Sequence, residues 1–177
     1  AGSQPVSLTD SGNRVAGLFQ LSTTGAVGLA GHFGDVDLSA GALDFGQTTV
    51  ERITRVTASG NLTQSGPLTL KGASTLDAGA NAITLTDEHN DFVGLLSVTG
   101  GTTQLRDANA LTAALTTGET TLHSGASLSV SGSTASLDAT SGDALVFGAG
   151  GTLVSGNARL DAGGPVSQSG KLDVGGD

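Results

Sequence analysis

The sequence predicts an all-β fold, a parallel β-solenoid of brief stacked strands, on three observations. Apolar residues alternate with small polar ones in short bursts, such as Ile83/Leu85, Leu96/Val98 and Thr103/Leu105, and glycine, asparagine or aspartate fills the gaps. The chain also repeats itself. Ala1 to Leu21 lies over Ala78 to Val98 at a fixed offset, with Asp10/Asp87, Asn13/Asn90, Gly17/Gly94 and Leu18/Leu95 identical. Finally, no Asn-Gly or Asp-Gly occurs anywhere, although two-residue hairpins favour those dipeptides. Short strands without hairpin signals turn in one sense and stack.

Composition fits a slender interior. Of 177 residues, 29 are Gly and five are Phe, with no Trp, Tyr, Met or Cys, so the core is lined by Val, Leu, Ile and Ala. A hydrophobic fraction of 37%, only 13% charged residues and period-two alternation separate the chain from disordered sequences of similar Gly and Ser content. Sixteen acidic against seven basic residues, scattered without runs, repel nucleic acid and anionic lipid and exclude both as direct partners. No run of about 18 apolar residues crosses a membrane. No charged-then-apolar leader opens the chain, and both termini lie in repeat-like sequence. Residues 1–177 are therefore expected to form a single solenoid segment of a longer array, and the lack of cysteine is compatible with an exported bacterial chain.

In chain order, strands are expected at Val6–Leu8, Val15–Leu21 and Val27–Leu29, with turns at Asp10–Asn13 and Thr23–Gly25. Val36/Leu38 and Leu43/Phe45 continue the pattern and place Asp35, Asp37 and Asp44 outward. Val50, Ile53 and Val56, spaced by three, predict a helical turn or a bulge. Alternation resumes at Leu68/Leu70 and Leu76, then at Ala113/Leu115, Leu122, Leu128/Val130 and Ala135/Leu137. Inward residues beyond these are Leu145/Phe147, Leu153, Ala158/Leu160, Val166 and Leu172/Val174. The offset that joins Ala1 to Ala78 persists weakly through Leu70/Phe147, Leu76/Leu153 and Ile83/Leu160. With roughly 20–25 residues per coil, the chain makes about seven to nine coils, a rod some 35–45 Å long.

Candidate chemistry is sparse. Asp87-Glu88-His89-Asn90-Asp91 is the densest polar cluster, but its counterpart Asp10-Ser11-Gly12-Asn13-Arg14 keeps only the first Asp and the Asn, so it reads as a solvated turn rather than a metal site. Asp35-x-Asp37 offers two oxygens toward calcium, which takes six to eight. Gly148-Ala149-Gly150-Gly151 lacks the Lys-Ser/Thr of a phosphate loop and reads as a turn. His32, His89 and His123 have no ligand spacing, no serine lies in G-x-S-x-G, and Asn61-Leu62-Thr63 is a formal glycosylation sequon. The Thr pairs at 23–24, 102–103, 116–117 and 120–121 do not recur at one position per coil, as an ice-binding ladder needs. No catalytic, cofactor-binding or metal-ligating residue is assigned, and no cofactor is expected.

The string ITLTDEHNDFVGLLSVTGG, followed by TTQLRDANALT and bracketed by GNLTQSGPLTL and NARLDAGGPVSQSG, resembles the repeats of filamentous haemagglutinin-type bacterial exoproteins over Val6 to Val174. The resemblance implies a right-handed parallel β-helix, secreted with an outer-membrane transporter partner and displayed on the cell surface. It also implies that residues 1–177 are a single β-solenoid repeat segment of a longer exoprotein, with a role in adhesion, biofilm formation or presentation of a toxin tip, through a host-cell or bacterial-surface receptor or glycan. The functional expectation is a rigid, non-enzymatic stalk. The alternatives are a polysaccharide-degrading β-helix, disfavoured by the absence of Trp and Tyr for stacking on sugars, and a calcium-stiffened spacer.

Overall fold

The computed structural model describes residues 2–176; Ala1 and Asp177, the ends of the expected segment, lie outside the described residues. Its strands are β1 (Val6–Leu8), β2 (Arg14–Ser22), β3 (Val27–Ala40), β4 (Leu43–Val50), β5 (Thr54–Ala58) and β6 (Leu62–Gln64). There follow β7 (Leu68–Leu70), β8 (Ser74–Asp77), β9 (Ile83–Leu85), β10 (Asp91–Phe92), β11 (Leu96–Gly100) and β12 (Thr103–Asp107). The last are β13 (Leu111–Ser124), β14 (Leu128–Ser141), β15 (Leu145–Val154), β16 (Ala158–Ala162), β17 (Val166–Gln168) and β18 (Leu172–Val174). Every ladder is parallel, and no helix occurs among the described residues. The all-β parallel solenoid is what the alternation and the missing hairpin dipeptides predicted.

Registers define the coils. One inward column runs Val6, Val27, Leu43, Leu62, Ile83, Thr103, Thr120, Leu137, Ala158, which makes about nine turns. The longest steps, such as Val6 to Val27, only reach the short end of the expected coil length, and the shortest, Val27 to Leu43, falls well below it. The number of coils is accordingly at the top of the expected range. A second column runs Leu21, Leu38, Val56, Leu76, Val98, Leu115, Gly132, Thr152, Leu172. From Leu38 to Leu115 its members are at most 2% exposed, so the core is one aliphatic thread along the axis. Five coils carry a further wall, with Val15, Phe33, Val50, Leu70 and Phe92 in register. Beyond Phe92 that wall is lost, and the chain completes one short coil from Thr103 to Thr120 and another from Thr120 to Leu137.

This shortening explains the fading repeat. The offset equals four coils from Val6 to Ile83, and the pairs Leu38/Leu115 and Phe45/Leu122 keep it in three dimensions. Four coils on from Ile83 lies Ala158, not Leu160, because two of the coils are short. Likewise Leu76 shares its column with Thr152, and Leu153 points outward at 48% exposure. Leu70 and Phe147 lie on different walls, since Leu70 pairs with Phe92 and Phe147 with Val130.

Of the two alternatives at Val50 to Val56 the helical turn is absent and the chain instead leaves the wall: Val50 and Val56 are buried in β4 and β5, and Glu51 to Ile53 forms a corner with Ile53 44% exposed. The backbone there is pinned by Glu51 N–H to Phe33 O and Arg52 N–H to Gly34 O, both 2.9 Å. Gly148 to Gly151 is no turn either, but lies within β15 at a register shift opposite Val130/Gly132. The equivalent shift in β3 lies at Leu29/Gly31, and Gly31 and Gly132 take φ of 130° and 100°, where a side chain would be strained. Leu160, Val166 and Val174, expected to point inward, are exposed in the last described coil.

Candidate functional site

In a coil stack, chemistry is available only where side chains leave the wall or where the wall opens. Three neighbourhoods qualify. On the outer wall of the first four coils, Arg52 clasps Asp35 through Nε and Nη2, the shortest contact being 2.7 Å, and the Ile53 N–H donates to the same carboxylate at 3.0 Å. Together they hold the Asp35 carboxyl below its usual range, the guanidinium contributing most. One coil on, Lys71 lies 2.9 Å and His32 3.0 Å from Glu51, and the lysine ammonium lowers the Glu51 carboxyl. Asp37 accepts from Gln20 at 3.1 Å, and Asp44 accepts from Thr63 and Ser65 at 3.0 and 2.6 Å. The three outward aspartates therefore bind neighbouring coils, with the Asp35 carboxylate taken by the Arg52 guanidinium and Asp37 by the Gln20 amide. Each exposed pair contributes little to stability.

The second neighbourhood is the corner at Asp87 to Asn90. Asp87 Oδ1 accepts the His89 N–H at 2.9 Å, as Asp10 Oδ1 accepts the Gly12 N–H at 2.8 Å, so the recurring aspartate closes the same turn twice. The recurring asparagine does more. Asn90 is fully buried, which corrects the solvated-turn reading for this residue. Its Oδ1 accepts from Gln64 Nε2 at 2.8 Å and from Leu68 N–H at 2.9 Å, and its Nδ2 donates to Gln64 Oε1 at 2.9 Å and Arg106 O at 3.2 Å. Its carbonyl accepts the Ala108 N–H at 2.8 Å. One amide thus ties three successive coils together. Asn13 repeats the device in the first coil, donating to Leu8 O and Ala30 O at 3.2 Å, with its carbonyl accepting the His32 N–H at 2.8 Å.

Asp107 stands beside this pin, 1% exposed, with Oδ2 accepting the Phe92 N–H at 3.0 Å and Oδ1 the Asn109 N–H at 2.8 Å. Burial outweighs these two donors and pushes its carboxyl above the usual value. Both oxygens are engaged by backbone, so the group is placed to close a corner. Ser124 and Ser141 follow it in register and close the next two corners through their hydroxyls. Sequence reasoning missed Gln64 and Asp107. The one available signal was that Gln64 interrupts an aliphatic column between Phe45 and Leu85.

The third neighbourhood is an open groove of about 480 Å³ beside the β15 bulge, bordered by Thr116, Ser133, Leu153, Lys171 and Asp173. Lys171 and Asp173 pair at 2.6 Å along its edge. The groove offers hydroxyls, the leucines Leu115 and Leu153 and one ion pair. The histidines stay apart: His32 faces Glu51, His89 faces Asp87 at 3.3 Å, and His123 lies over Arg106. No group of three or more His, Cys, Asp or Glu that could hold a metal occurs among the described residues. Thr103 and Thr120 do share a column, but they point inward at 0% and 3% exposure.

A family model described as "Repeats of unknown function (DUF5649)" matches residues 33–99 and 134–177, more than half of the chain. No curated protein and no solved structure matches it.

Proposed function

Since the chain belongs to the family of repeats of unknown function (DUF5649), we propose that it is a rigid structural segment of a secreted, surface-displayed bacterial exoprotein. In this reading it holds adhesive parts away from the cell and presents its outward walls to a receptor or glycan. The carrying observation is the unbroken aliphatic column from Leu21 to Leu115, with each coil locked to the next by a full parallel ladder. A dry thread of that kind resists bending because tilting one coil opens apolar contacts on one side. The resemblance of ITLTDEHNDFVGLLSVTGG to exoprotein repeats supports export and display. The outward pairs Asp35 with Arg52 and Glu51 with Lys71 support a spacer as well, since they join one coil to the next.

Ser22 and Asp173 end one outward column that climbs through Ser39, Thr57, Asp77, Thr99, Thr116, Ser133 and Leu153. Eight steps of about 4.8 Å place them about 38 Å apart. The chain has no cysteine, so Ser22→Cys and Asp173→Cys can carry spin labels cleanly. A rigid spacer gives one narrow distance distribution near that value, and a broad or bimodal one overturns the reading. Incubation with a panel of acidic polysaccharides should release no new reducing ends; their appearance would replace the spacer with an enzyme.

A further inference from the structure

We infer that one long edge of the rod is a self-association surface, on which a second copy of the chain packs side by side and in the opposite direction. The inference does not depend on export or display. The edge is the one where the wall of Val15, Phe33, Val50, Leu70 and Phe92 meets the wall of Leu21, Leu38, Val56, Leu76 and Val98. Among the described residues before β15, every large aliphatic side chain that is exposed lies on it: Leu18 at 56%, Ile53 at 44%, Val93 at 63% and Leu95 at 46%. The registers put them in line. Leu18 pairs with Asp35, and the residues just before the rungs Val36, Thr54, Ser74 and Leu96 carry the line on through Ile53, Ala73 and Leu95. Val93 follows Phe92 at the corner beside them. Four steps of about 4.8 Å make the stripe about 19 Å long.

Charge identifies the occupant. The edge segments, residues 16–20, 34–37, 51–55, 71–75 and 93–97, hold three acidic side chains, Asp35, Asp37 and Glu51, and three basic ones, Arg52, Arg55 and Lys71. The whole formal charge of −9 therefore lies on the rest of the chain, which repels a second copy and draws any cationic partner away from the edge. A neutral, apolar edge on an anionic rod is thus the surface left open to another rod of the same kind. Its direction follows from the order of charges, with Asp35 and Asp37 one coil before Arg55 and Lys71 one coil after it. Copies running the same way would set the aspartates on aspartates and Lys71 on Lys71. Antiparallel copies, related by a two-fold axis at Ile53, set Leu95 on Leu18, Val93 on Ala16 and Ile53 on Ile53, and bring Lys71 over the second copy's Asp35. The two Arg55 then face each other, each flanked by the Asp37 of both copies. Such a contact is isologous and closes at two, and its small size makes the dimer weak.

Sedimentation of the intact chain from about 10 μM to about 1 mM tests this, in the range expected for a contact of that size. The weight-average mass should climb from 17.1 kDa and level at twice that value. A monomer at every concentration, or growth past two, overturns the proposal. Ile53→Glu sets two carboxylates against each other on the axis, and it should weaken dimerisation about tenfold or more, as should Leu95→Glu. Thr63→Glu adds the same charge on another wall, in β6, and should leave dimerisation unchanged. All three positions are exposed, and far-UV circular dichroism checks that each variant folds. Dimers that survive both edge variants, or that are lost equally in Thr63→Glu, overturn the assignment. Direction has its own readout. Ser131 stands four coils above Arg55 in one outward column, through Thr75, Ser97 and Ala114. Spin labels on Ser131→Cys should therefore lie about 38 Å apart in the antiparallel dimer, eight coil steps of about 4.8 Å. Labels side by side would mean copies running the same way and would overturn the proposed pairing.

Discussion

Replacing Asn90 by alanine should cost far more than its place in a polar turn suggests. The side chain makes four hydrogen bonds inside the corner, and its removal takes this partner from the Leu68 N–H and the Arg106 carbonyl and two bonds from the Gln64 amide. Each buried group stranded in this way costs about 1–3 kcal/mol. Gln64 keeps its contact with Gly66 O at 2.8 Å, which limits the loss. About 3–5 kcal/mol is expected in total, a large share of the stability of a domain of this size. The molecule carries its own control. Asn13 occupies the same turn in the first coil but makes two side-chain bonds at 3.2 Å and is only half-buried, so Asn13→Ala should cost about 1 kcal/mol. Urea unfolding followed by far-UV circular dichroism suits a chain without Trp or Tyr. Amide exchange adds a local readout, since Leu68 and Ala108 should lose protection in Asn90→Ala before the rest of the core. Equal costs for the two substitutions, or a loss at Asn90 below about 1 kcal/mol, would refute the pin.

Three other outcomes follow from the same geometry. Thr54 is fully buried with a hydroxyl that has no hydrogen-bond partner, so the isosteric Thr54→Val should stabilise by about 1–2 kcal/mol; destabilisation in urea would mean the hydroxyl is satisfied. Asp107 has a folded-state value raised above the ordinary 3.8, so its penalty at neutral pH is relieved as pH falls through that raised value toward 3.8, and wild type should gain stability relative to Asp107→Asn over this interval. Asp35 and Glu51, both lowered, act oppositely and lose their contribution as pH falls below the ordinary 3.8 and 4.5, so a wild-type advantage over Asp107→Asn that is flat with pH would contradict the assignment. At Gly72 an added Cβ would collide with the Arg52 carbonyl, whereas at Gly79 the space is open but φ is 56°. Gly72→Ala should cost about 3 kcal/mol and Gly79→Ala about 1 kcal/mol, and the reverse order of melting temperatures would count against the corner packing.

Strand alternation and the absence of hairpin dipeptides made the parallel stack legible, because a half-buried wall and a one-sense turn both write themselves into local sequence. Coil length was harder to read. The wall that holds Phe33, Val50, Leu70 and Phe92 disappears after the fifth coil, and a fixed offset cannot follow a path whose period shortens to the step from Thr103 to Thr120. The recurrence of Asn13 and Asn90 was visible, but its meaning was not: the partners of Asn90 come from one coil before, at Gln64, and one coil after, at Arg106. Asp107 left no signal at all, since a lone aspartate at a strand end looks solvated until Phe92 covers it. What alternation reports is the local in-and-out of a wall; what closes a corner depends on residues a full coil distant.

Nuclear Overhauser contacts between backbone protons test the stack most directly in a chain of 17.1 kDa. The account predicts an ascending ladder linking Leu38 to Val56, Val56 to Leu76, Leu76 to Val98 and Val98 to Leu115, with Ser39 to Thr57 and Thr57 to Asp77 beside it in the same direction. Contacts in which one residue number rises while its partner's falls would mean antiparallel pairing, and the coil stack with everything built on it would be wrong.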